Sequence, residues 1–65
     1  MVMRLVWTLT TDTGQRNYYI KKGQVTFCLT TYDDSGEEYV TCFDGKKWIA
    51  VNDPKIIQKI KKVIR

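Results

Sequence analysis

Apolar and polar positions alternate with a period of two along most of this chain, then switch to a helical period at its end. In VMRLVWTLT, residues 2–10, Met3, Leu5, Trp7 and Leu9 occupy alternate positions, which predicts a strand with those four on one face. TDTG at 11–14 carries turn chemistry, and RNYYIKK at 16–22 reads as a second strand. VTFCLTTY at 25–32 is rich in β-branched and aromatic residues and predicts the third. EEYVTCF at 37–43 and KKWIAV at 46–51 predict strands four and five. Between them Asp44-Gly45 is a strong hairpin signal, since a type I′ turn needs positive φ at both central residues.

The period changes at DPKIIQKIKKVIR, residues 53–65. Asp53 suits an N-cap, and Pro54 suits the first helical position, where its missing N–H costs nothing. At about 100° per residue, Ile56, Ile57, Ile60, Val63 and Ile64 fall within an arc of about 120°. Lys55, Gln58, Lys59, Lys61, Lys62 and Arg65 fill the other side. A helix over about 54–65 spans roughly 18 Å, enough to cover a small sheet. The predicted fold is mainly β with one helix: a five-stranded antiparallel sheet, curled towards a small SH3-like or OB-like barrel, with the C-terminal helix on it.

A two-residue turn at Asp44-Gly45 pairs Phe43 with Lys46, Thr41 with Trp48, and Val40 with Ile49. One face of the last three strands then shows Phe27, Leu29, Val40, Cys42, Ile49 and Val51, which suits the apolar side of the helix. The other shows Cys28, Thr30, Tyr32, Tyr39, Thr41, Phe43, Lys46 and Trp48. A small domain rarely leaves such rings in water, so the pattern predicts that strands one and two fold over this face and close a barrel. The alternative is an open stacking surface. A mixed arrangement leaves only the surroundings of Trp48 and Tyr39 uncovered.

Sixty-five residues, 43% apolar and 28% charged, suit one small globular domain. A chain this short buries only about 60% of its unfolded surface, so its stability is marginal. No apolar run approaches the roughly 18 residues of a membrane span, and no signal peptide is predicted at the start of the chain. The expected home is the cytoplasm. Net charge is +4, and it is unevenly placed. Lys55, Lys59, Lys61, Lys62 and Arg65 supply five bases to the tail, whereas residues 1–54 hold six bases against seven acids. Four of the acids cluster in DDSGEE at 33–38, so the molecule is predicted to be electrically two-ended.

The chemistry is restrictive. There is no histidine, which removes the usual general base and the commonest transition-metal ligand. No glycine-rich phosphate loop is present, because the glycines lie singly at turns. Cys28 and Cys42 fall on opposite predicted faces, too far apart for a disulfide. DDSGEE lacks the ligand alternation of a calcium loop and reads as a solvated hairpin tip. No enzyme, cofactor or metal is predicted. The helix face is unusual in carrying like-charge pairs, Lys55–Lys59 and Lys61–Arg65, without acidic partners on the helix. Lys-rich exposed faces are common, yet this one also suits phosphate.

In outline the chain resembles the small basic chromatin proteins of thermophilic archaea, which combine a hairpin, a three-stranded sheet carrying a Trp, and a C-terminal helix. That resemblance covers the order of elements. It implies a sheet lying on a DNA minor groove, with Trp48, Thr30 and Thr41 in contact. This chain departs from the pattern in its sparse strand lysines, its acidic hairpin tip and its basic helix. The leading expectation is a non-catalytic nucleic-acid-binding protein whose contacts are Lys55, Lys59, Lys62, Arg65, Lys46, Trp48, Tyr39 and Thr41. The alternative is a protein-interaction module or inhibitor, of the kind a virus or plasmid encodes, with an acidic protein partner. The oligomeric state stays open, a homodimer among the options.

Overall fold

Alternation in the strands and a single helical stripe leave one efficient arrangement, a sheet with the helix laid across one side. The computed structural model, which describes residues 2–64, has that architecture. Strands β1 (Arg4–Thr10), β2 (Gln15–Lys22), β3 (Val25–Tyr32), β4 (Glu38–Phe43) and β5 (Trp48–Ala50) form one antiparallel sheet in chain order, followed by helix α1 (Pro54–Ile64). The sheet is open. β1 and β5 are its two edges and do not pair, so the expected barrel closure does not occur. β2 and β3 pair along their full length, from Gln15 opposite Tyr32 to Lys22 opposite Val25. A first hairpin and a triple-stranded sheet are thus fused into one sheet.

The helix stripe is as expected. Ile60 is fully buried and packs with Ile20, Phe27, Leu29 and Val40, while Ile56, Ile57, Val63 and Ile64 flank that cluster. The helix begins as its sequence dictates. The Asp53 carboxylate accepts the Lys55 N–H at 3.0 Å, and the Asp53 carbonyl accepts the Ile57 N–H at 3.1 Å. Arg65 lies outside the described residues.

Two local expectations are corrected. The register of β1 shifts between Leu5 and Trp7, leaving Val6 as an extra residue. One inserted residue turns every later side chain to the opposite face. Leu5 therefore pairs with Ile20 on the helix side, and Met3 packs against the core, whereas Trp7 pairs with Tyr19 and Leu9 with Asn17 on the far side. The four residues do not share a face. The β4–β5 turn also differs. Asp44 accepts the N–H groups of Lys46 and Lys47 at 2.8 and 2.9 Å, which holds its carboxyl below the usual aspartate range. Gly45 alone takes positive φ, at 101°. These bonds close a longer loop over 44–47, so Phe43 pairs with Trp48 and Lys46 leaves the strand. The slip is two positions, so the face assignment of β3, β4 and β5 survives. Cys28, opposite Thr41, and Cys42, opposite Phe27, are free thiols on opposite faces.

Candidate nucleic-acid interface

The sheet face turned away from α1 is uncovered, and its side chains follow from the registers. Across its middle lies a floor of small or polar residues: Asn17, Cys28, Thr30 and Thr41. Asn17 is 8% exposed, and its Oδ1 accepts from Thr30 Oγ1 at 2.8 Å and Gln15 Nε2 at 3.3 Å. Among the described residues, no buried side-chain N or O atom lacks a partner, so this floor is satisfied.

Rings stand at both ends of that floor. Towards one end, the Tyr19 and Trp48 centroids are 6.3 Å apart and those of Phe43 and Trp48 are 5.2 Å apart. These rings meet above short side chains, and Cys28 beneath them is buried. Burial, then the Cys28 thiol, raises the Tyr19 hydroxyl pKa. Towards the other end, Tyr32 and Tyr39 meet edge-on at 5.9 Å. The Tyr39 hydroxyl donates to Glu37 Oε2 at 2.6 Å, which raises its pKa. Tyr39 to Phe43 spans four strand residues, about 13 Å along β4. The rings remain accessible: Trp7 is 63% exposed, Tyr39 53% and Trp48 46%. Both tryptophans of the chain belong to this face.

Charge follows the strand ends. At one end Arg4 pairs with Lys21 beside Trp7 and Tyr19, Lys22 follows, and the 44–47 loop adds Lys46 and Lys47. Asp44 is the acid of that loop, its carboxylate held by the N–H groups of Lys46 and Lys47. The opposite end holds Asp12, Asp33, Asp34, Glu37 and Glu38, with Arg16 3.6 Å from Asp33. The two-ended charge expected from sequence is therefore present, but its positive pole is built from strands as well as helix.

The predicted contact residues divide between the two faces. Trp48, Tyr39 and Thr41 lie on the bare face, with Lys46 at its basic end. Lys59 and Lys62 lie on the helix side, where they border Lys22, Val2 and Met3. Lys55 shares their stripe of α1. Lys61 does find an acidic partner, Glu38 of β4, at 2.9 Å. Among the described residues the ion pairs are this one and Arg16–Asp33, so Lys55, Lys59 and Lys62 have none there. Arg65 falls outside the described residues. Sequence reasoning missed Trp7, Arg4 and Lys21 as members of the surface. The bulge that turns Trp7 leaves no mark in an alternating string, and Arg4 and Lys21 meet only through pairing. No family model, curated protein or solved structure matches this chain. Among the described residues no helix is long and apolar enough to cross a membrane.

Proposed function

We propose that the chain is a non-catalytic binding protein for single-stranded nucleic acid, which lies across the bare face of the sheet. The observation that carries this reading is the accessibility of Trp7, Trp48 and Tyr39 together on one open sheet face. Aromatic rings on a sheet stack on splayed bases of any sequence, each stack contributing about 1–3 kcal/mol. Two or three stacks give roughly 2–9 kcal/mol before ordering costs, and a micromolar complex needs about 8 kcal/mol net. Stacking reaches that only at the top of its range and before ordering costs, so Arg4, Lys21 and Lys46 supply phosphate contacts at the basic end. The acidic tip repels a backbone at the other end, which favours one placement of the strand. The cytoplasm, where thiols such as Cys28 and Cys42 stay reduced, is the compartment this reading implies.

A protein partner is the second reading. It draws on the same bare face and on β1, an edge strand exposed along its whole length. A binding titration with single-stranded DNA, single-stranded RNA and duplex DNA at two salt concentrations separates the two. The nucleic-acid reading expects single strands to bind more tightly than duplex, with affinity falling as salt rises. Absence of salt-dependent binding to any of them overturns it and leaves the protein-partner reading.

A further inference from the structure

The basic end continues beyond the sheet face. One hollow there is lined by Val2, Arg4, Lys21 and Gly23. A second, on the helix side, is lined by Val2, Met3, Lys22, Lys59, Lys62 and Val63. They share Val2, so they adjoin around the start of β1. The first lies beside Trp7 and Tyr19 of the bare face, because Arg4 and Lys21 pair on that side of the sheet. The second is reached through Lys22, whose neighbour Lys21 lies in the first. No acid lines either hollow. Lys59 and Lys62 are exposed, and neither is in an ion pair among the described residues.

Gathering cations without counter-charge costs folding energy through self-repulsion, and an external polyanion relieves it. Val2, Met3 and Val63 share the second hollow with its lysines, an apolar surface that suits long lysine stems whose ammonium groups reach for water. Lysine acts here as a point charge, so the surface holds a backbone without reading sequence.

We infer that Lys22, Lys59 and Lys62 form a second phosphate-binding station, and that a single strand held on the sheet face turns around the start of β1 to reach it. This inference rests on the sheet-face reading above. It makes the two predicted groups of contacts, separated by the sheet itself, into one continuous track.

The test compares single-stranded oligonucleotides of about 4 and about 12 nucleotides, lengths that bracket a single small domain's footprint. Each phosphate neutralised on a single strand contributes about −0.7 to the slope of log affinity against log salt. The short strand meets only the sheet face, with phosphate contacts from Arg4, Lys21 and Lys46, and should show a slope near −2, while the long strand adds about three contacts and approaches −4. The long strand's advantage should then shrink about 15- to 20-fold between roughly 50 and 200 mM salt. The triple variant Lys22→Gln, Lys59→Gln, Lys62→Gln should return the long strand to the short strand's slope and leave the short strand's affinity unchanged. The double variant Lys59→Gln, Lys62→Gln, which alters the helix surface alone, should recover most of that change. Equal slopes for the two lengths, or a triple variant that binds the long strand like the wild type, overturns the second station while leaving the sheet-face reading intact. Failure of the short strand to bind overturns both.

Discussion

The two faces of this sheet are made from the same strands, yet they are finished differently. On the helix side Ile20, Phe27, Leu29 and Val40 are buried against Ile60. On the far side rings stand at both ends of a floor of small or polar residues, and no element of the described chain covers them. A domain this small gains too little from one core to leave large apolar groups in water without compensation. Edge-on ring pairs and the satisfied Asn17–Thr30 floor give that compensation in part. On the reading proposed above, the rings of the bare face serve binding rather than folding. Stability should reside on one face and binding on the other.

The largest effect should come from the covered face. Ile60→Ala removes a fully buried side chain at the centre of the contact between helix and sheet, and should cost about 2–5 kcal/mol. For a domain of this size that approaches the whole stability, so thermal melting should show partial unfolding at room temperature. A mild loss would mean that the helix is not the principal cover of the sheet.

The bare face should behave in the opposite way. Trp48→Ala should lose about 1–3 kcal/mol of binding to single strands while circular dichroism still reports the native sheet and helix. Unfolding by this substitution would make Trp48 part of the core and collapse the distinction between the faces.

Smaller effects test the junctions that hold the two layers together. Asp53→Ala deletes the helix cap and should lower stability by about 1 kcal/mol, with little change in binding. Asp44 gives a pH signature. Its carboxyl is held below the usual value of about 3.9 by two backbone N–H groups, so it ionises more readily folded than unfolded. The stability it contributes is complete above that usual value and is lost as pH falls through the folded-state value. Asp44→Asn retains a side-chain acceptor but cannot titrate there, so denaturation profiles below about pH 4 should be flatter for this variant than for the wild type.

Much of this architecture was legible in the sequence. The Ile and Val spacing of residues 56–64 fixed the helix and its buried side, and Asp53-Pro54 fixed its start. The order of β3, β4 and β5 followed from short turns, and their faces survived a register slip because two positions preserve parity, whereas β1 and β2 extend the sheet instead of closing a barrel. What escaped depends on groups that a periodic pattern does not encode. The Asp44 carboxylate lengthened a turn by capturing two amides. The extra residue at Val6 divided Met3 and Leu5 from Trp7 and Leu9, although all four alternate without interruption. The basic end escaped for a third reason. Arg4 meets Lys21 only through strand pairing, and Lys22 meets Lys59 and Lys62 only through the direction in which the helix crosses the sheet.

The most direct test of the bare face uses the chain's own fluorescence, because Trp7 and Trp48 are its only tryptophans and both belong to that face. Titration with a single-stranded oligonucleotide of about 12 nucleotides should quench emission saturably, with Trp7→Phe and Trp48→Phe dividing the signal between them. Emission that stays constant while an independent assay detects binding would contradict stacking on this face.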